Sequence, residues 1–282
     1  MFVEENYIIE SETTDVIKKQ AYWNTGIGLN RIDGLEPSKY LLELSKKNIE
    51  GELKYDEVEN LLKIYYEAKD TNDINIQKEK ECDLVSLRIA RLLEYKSFGF
   101  SPITLKNIHK YLFKDIYDFA GNYRDYNIIR KEPILNSDSV IYADSNNIED
   151  CFSYDFKEEK EFDYSKLNND ELIKHIAKFT SNIWQIYPFR EGNTRTIAVF
   201  IEKYINNMGF DVNNDMFKNK SIYFRNALVR SNYTNIPRGI YPTCDYLVMF
   251  FENLLQAKDN VLRNRELYVK ELFEKEKEKD SA

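Results

Sequence analysis

Glycine and proline are scarce, nine and six in 282 residues, where a chain of average composition carries roughly twice as many. So few chain breakers exclude collagen-like and low-complexity readings and disfavour a turn-rich sandwich or barrel. Three cysteines (Cys82, Cys151, Cys244), with no C-x-x-C among them, exclude a disulfide framework and predict packed thiols in a reducing compartment. Only two histidines, His109 and His175, exclude a multi-histidine metal site. No apolar run approaches the roughly 18 residues of a membrane span. The N-terminal MFVEENYIIESETTD lacks the basic and apolar regions of a signal peptide. A cytoplasmic protein without membrane contact is expected, with delivery elsewhere as an effector left open. Positive charge is also in deficit, 40 basic against 48 acidic side chains, so no global field draws the chain to nucleic acid.

What is plentiful is Leu, Ile, Lys, Glu and aromatic residues in helical spacing. The chain reads as all-α, in three parts: 1–75, 76–257 and 258–282. In the first, Glu36-Pro37-Ser38 is a helix start with Ser38 as N-cap, and a second helix follows Gly51. The polar TNDINI stretch, 71–76, is the candidate boundary. In the second, helices are predicted over 84–93, 104–119, 168–185, 194–208, 221–230 and 242–256. Between Tyr126 and Ala143 the period changes to two short extended runs around Lys131-Glu132-Pro133, a hairpin. The third part alternates charge along a helical face and reads as a solvated helix, with a partner-binding tail as the other possibility.

The chemistry-bearing segment is IWQIYPFREGNTRTIAVFIEKY, 183–204. An apolar helix ends near Ile186, and a short loop feeds a new helix near Thr194. Gly192 lets backbone approach a ligand, and the unpaired N–H groups of a helix start favour phosphate. Arg195 can clamp phosphate oxygens, and Glu191 beside an anion invites Mg²⁺ between them. The same residues also fit an ordinary helix start, with Asn193 as N-cap and Glu191 and Arg195 as a surface pair.

The stretch Tyr187–Thr196 resembles the active-site motif of the Fic (Fic/Doc) family, H-x-F-x-[D/E]-G-N-G-R-x-x-R, at Phe189, Glu191, Gly192, Asn193 and Arg195. DLVSLRIARLL, IHKYLFKDIYDFAGNYRDYNI and YFRNALVRSNY resemble further Fic segments, so the likeness spans about 80–250. It implies a Fic-type helical core with one β-hairpin flap, preceded by N-terminal helices, that binds ATP and Mg²⁺ and moves AMP onto a protein hydroxyl. Glu191 would hold the metal; Gly192, Asn193 and Thr194 would form the anion hole, with Arg190 and Arg195 beside it; Phe189 would anchor the loop. The hairpin 127–140 would be the flap that pins the target segment, unless it is a plain surface excursion.

Three departures qualify the likeness. Tyr187 stands where the family has the histidine that acts as general base, and a phenol titrating near 10 is a poor base at neutral pH. Tyr187 is expected to point into the anion site, there to hydrogen-bond phosphate or to fill the target hydroxyl's space. Thr194 replaces the common glycine, and Ala198 replaces a second arginine. Gly28–Gly34 resembles an inhibitory, antitoxin-type pattern with Leu29 and Asp33 in place of Ser/Thr and Glu, and KKNIEG (46–51) is a second imperfect match. Residues 20–70 are therefore a cis-acting antitoxin-like module or a packed helical appendage. Three readings of function stand together: a protein adenylyltransferase scaffold impaired at its base, a non-catalytic ATP-binding regulatory module, and a toxin–antitoxin component acting by protein contact.

Overall fold

Side-chain caps start four of the helices (those beginning at Lys39, Ile74, Pro102 and Asn169) in the computed structural model, which describes residues 11–273 apart from 71, 211, 213 and 214. The ten α-helices among these residues are α1 (Ser11–Asn30), α2 (Lys39–Ile49), α3 (Tyr55–Glu67), α4 (Ile74–Glu94), α5 (Pro102–Phe113), α6 (Ile148–Glu161), α7 (Asn169–Ile186), α8 (Asn193–Asn207), α9 (Asp215–Arg230) and α10 (Asp245–Gln256). Ser38 caps α2 by accepting from Leu41 N–H, as its sequence position predicts. Ser101 caps α5 with Pro102 in the first turn, and Asn168 and Glu171 form a reciprocal capping box on α7.

The chain divides into two compact units at Tyr95/Lys96, not near residue 75. In the first unit α1 lies along α4. Gly26 permits the approach, because a Cβ there would stand 2.4 Å from Ser86 O. Asn30 donates to Gly26 O and Ser86 Oγ, and buried Trp23 donates to Asn48 Oδ1 at 2.9 Å. Asp83 accepts from Ser38 and from the Tyr66 hydroxyl, tying α2 and α3 to α4; burial nevertheless pushes its carboxyl up to about 6. Gly28–Gly34 is the last turn of α1, a 3-10 turn and a left-handed Gly34.

The second unit is built around α8, whose residues from Asn193 to Ile205 are all buried. α5 and α7 flank it, α6 and α10 pack on α7, and α9 packs on α10. Phe98, Phe100, Phe156, Phe179, Phe200 and Tyr204 interlock as its aromatic core.

Two expectations fail here. The segment 127–140 is not a β-hairpin: no strand pair forms among the described residues, only an isolated bridge between Asn235 and Ile240. Pro133 has no N–H for a ladder, a 3-10 turn occupies Pro133–Leu135, and Asn136 and Ser137 are left-handed. The excursion closes on itself instead, through Glu132 N–H to Asp138 O and Ser137 N–H to Glu132 O. Nor is 258–273 a solvated helix. It is an irregular strap with two 3-10 turns, because Leu267, Val269 and Leu272 are drawn inward. Val269 N–H donates to Ile134 O and Asn136 Nδ2 to Leu272 O, pinning the strap to the 133–135 turn. Residues 274–282 of the expected tail lie outside the described residues.

Candidate active site

Pro188 ends α7, and Tyr187 before it is left-handed, with φ 48° and ψ 60°. Such a conformation costs a non-glycine residue about 1–2 kcal/mol, and the surroundings hold it. The Tyr187 ring packs on Tyr142 (4.5 Å) and edge-on to Trp184 (5.6 Å). Its carbonyl accepts from Arg124 Nε at 2.8 Å. Buried Arg124 also donates to the carbonyls of Tyr126, Ala143 and Ile186, and its own N–H donates to Pro188 O. The guanidinium thus fastens the Ile186 and Tyr187 carbonyls to the 124–143 segment, whose own Tyr126 and Ala143 carbonyls it also holds.

Beyond Pro188 the loop turns inward. Phe189 is fully buried and stacks on His109, with centroids 3.6 Å apart and planes within 10°. Asn193 Oδ1 accepts from Phe189 N–H and its Nδ2 donates to Phe189 O, so the side chain clips the loop shut. His109 Nδ1 accepts from Gly121 N–H, which leaves Nε2–H to donate to Glu191 O at 3.0 Å. Burial pushes His109 down to about 4. It is neutral and fully engaged, so it supports the loop and cannot stand in as a base.

Gly192 opens α8 at φ 78°, and a Cβ there would lie 2.4 Å from the Phe113 ring. Thr194 Oγ1 accepts from Trp184 Nε1, so its hydroxyl is engaged in the interior. Arg195 is buried too, its guanidinium 4.7 Å from the Phe113 centroid. Arg190 swings outward to Asp125 at 3.6 Å and to the rings of Phe119 and Tyr126.

At the mouth stands a cation that the motif does not contain. Arg130 Nη1 donates to Tyr187 Oη at 2.5 Å and lies 3.6 Å from Glu191 Oε2. The Tyr187 hydroxyl thus meets a guanidinium from the 127–140 segment. Behind it, buried Glu132 is paired with Arg225 (Nη2 to Oε1, 2.8 Å) and accepts from the Tyr142 hydroxyl. The structure therefore joins buried Tyr187 to half-exposed Glu191 through Arg130, sets Phe189, Asn193, Thr194 and Arg195 inside, and turns Arg190 away. Arg124, Arg130 and Glu132 escaped sequence reasoning. Arg124 falls there in a family-like segment and Glu132 in a turn, with no role given to either, and nothing in the local spacing marks Arg130.

Glu191 is half exposed and belongs to no cluster of three or more metal-ligating side chains among the described residues. One accessible carboxylate at a helix start suits Mg²⁺, which keeps several waters and takes the rest of its shell from substrate phosphates. It would not suit a metal that needs an all-protein cage.

The Fic/DOC family model matches residues 99–205. The chain is similar to "Protein adenylyltransferase VbhT" of Bartonella schoenbuchensis, 26% identical over 142 residues, which are 46% of this chain and 28% of that protein. It is also similar to "Probable protein adenylyltransferase y4lH" of Sinorhizobium fredii, 26% identical over 126 residues, 44% of this chain and 61% of that one. The chain thus spans less than two thirds of either relative. Its fold matches the crystal structure of the N-terminal FIC domain of Bep8 from Bartonella sp. 1-1C (TM-score 0.53, 19% identity, 68% of this chain and 90% of that one). It also matches BepC with bound AMPPNP from Bartonella tribocorum (TM-score 0.50, 18% identity, 64% and 87%). All ten helices and the absence of sheet among the described residues agree with that all-helical fold.

Proposed function

We propose that the Fic/DOC family domain of residues 99–205 binds ATP with Mg²⁺ and is built to move AMP onto a protein hydroxyl, with transfer impaired because Tyr187 occupies the general-base position. The observation that carries this reading is the meeting of the Tyr187 hydroxyl, Arg130 and Glu191 at the mouth of α8. Here Arg130 links the half-exposed carboxylate to the buried phenol at the base position. The two relatives named as adenylyltransferases and the nucleotide analogue held by BepC agree with it.

Each residue has a separate task. Glu191 would hold the metal, which when bound neutralises phosphate charge. The α8 start would present its first N–H groups to the phosphates, with the dipole adding a favourable field. The Asn193 clip and the His109–Phe189 stack hold these groups in register. The 127–140 segment would pin the target so that its hydroxyl faces the α-phosphate. What is missing is the proton acceptor. The Tyr187 phenol is itself the acceptor of Arg130's hydrogen bond, and no neutral imidazole takes its place.

General-base catalysis is worth about 10²–10⁴ in rate. Tyr187→His should therefore raise label transfer from [α-³²P]ATP to protein by at least roughly 10². ATP·Mg²⁺ affinity should move by less than about 1 kcal/mol, the scale of one hydrogen bond. A restored protein that binds ATP without transferring label favours the regulatory reading, which the occupied phenol already accommodates; one that binds no ATP overturns the proposal. An inhibitory role for 28–34 belongs to the same proposal; with Ala198 in place of a second arginine, it would act by shape and not through an arginine–carboxylate pair.

A further inference from the structure

The phosphates of a nucleoside triphosphate carry about four negative charges, and one Mg²⁺ leaves roughly half of them for the protein to meet. The loop's own side chains supply little. Arg195 is buried against Phe113, Arg190 faces Asp125, and Ala198 one turn further along α8 carries no charge. The guanidinium that does reach the mouth is Arg130. It is about one-third exposed, hydrogen-bonded to Tyr187 Oη, and near two carboxylates, Glu191 at 3.6 Å and Glu132 at 3.9 Å.

We infer that Arg130 is a phosphate-binding residue of this site, and that its contacts with Tyr187 and Glu191 are its resting position when no nucleotide is bound. The inference rests on the nucleotide-binding reading above. Its warrant is the geometry of exchange. Neither carboxylate holds Arg130 in a close bidentate pair, since both separations exceed hydrogen-bond distance. Glu132 is already committed to Arg225. With a cation and phosphate at Glu191, the Arg130 fork can turn from that carboxylate to phosphate oxygens, which a guanidinium favours in bidentate geometry. The ligand class is the polyphosphate chain of a nucleotide. Adenosine monophosphate offers Arg130 far less charge.

Isothermal titration of the full chain with ATP·Mg²⁺ and with AMP decides it, comparing the wild type with Arg130→Ala and Arg130→Lys. Arg130→Ala should weaken ATP·Mg²⁺ binding roughly ten- to a hundredfold, the scale of a charged hydrogen bond, and AMP binding much less. Arg130→Lys keeps the charge but not the fork and should fall between. Far-ultraviolet circular dichroism and the melting temperature establish that both variants fold, and the lysine variant keeps the test alive if the alanine variant does not. Unchanged affinity overturns the proposal. Tighter ATP·Mg²⁺ binding also overturns it, since Arg130 would then be a stopper competing with the metal for Glu191. A wild type that fails to bind ATP·Mg²⁺ sinks the nucleotide reading itself, a result distinct from either.

Discussion

Gly192 is where a single atom decides whether the site exists. Its left-handed φ would cost another residue about 1–2 kcal/mol, and the Phe113 ring fills the space a side chain needs, adding about 1–3 kcal/mol of overpacking. Gly239 shares the left-handed φ (68°) but has nothing within 4 Å of a built Cβ. Gly192→Ala should therefore lower the melting temperature by several degrees more than Gly239→Ala, and differential scanning calorimetry of the two measures the steric share directly. Equal shifts would refute the Phe113 wall. The sequence singled this glycine out for backbone approach to a ligand; the Phe113 ring that crowds it comes from α5 and leaves no trace in the local sequence. Arg130 was not legible. It lies 57 residues from Tyr187, and no local pattern encodes a meeting made by the path of an irregular segment. The fate of Arg195 was hidden for a similar reason: a motif gives the residue and its spacing, while the aromatic neighbour that takes its guanidinium comes from α5.

At the scale of elements, the α7–loop–α8 unit hangs on a neutral His109 bridging Gly121 N–H and Glu191 O. Its pKa is held near 4, below the ordinary value of about 6.5. As pH falls, the unfolded chain takes up the proton first, so the contribution is intact above about 6.5 and drains away towards 4, by about 3 kcal/mol in all. In His109→Phe, the slope of stability against pH, measured by urea unfolding, should be less positive over this range than in the wild type, whatever its absolute value. Asp83 and Asp155, both raised to about 6, titrate in the opposite sense in both proteins and cancel in the comparison. An identical slope in both would remove His109 from this role. Most helices of the unit were legible, because their apolar faces recur at three and four residues. α6 was missed: Ile148, Phe152 and Phe156 recur every fourth residue, but the intervals between them are mostly polar or charged. The 127–140 segment misled in the other direction. Its β-branched residues suggest strands, and a proline with two left-handed residues prevents them from pairing.

At the scale of the whole molecule, the boundary at Tyr95/Lys96 shows what periodicity leaves open. The apolar run 84–93 announces a helix but not its neighbour, and α4 joins α1 because Gly26 and Asn30 fit it. The strap presents the converse case. Its alternating charges suggest a solvated helix, while Leu267, Val269 and Leu272 are buried. Replacing Val269 and Leu272 together by alanine should remove about 2–4 kcal/mol and loosen the turn at 133–135. Limited proteolysis should then cut within 127–140 sooner than in the wild type; unchanged cleavage would mean that the strap does not restrain this segment.

The bond from Asn136 to Leu272 joins residues 136 positions apart. A ribosome adding about 5–20 residues per second needs on the order of 10 s to travel that far. During that interval the loop of residues 187–192 has been made, and the segment carrying Arg130 still lacks its last fastening. In the newborn chain the site is therefore assembled late, and the strap's arrival sets the earliest moment at which the complete site can exist.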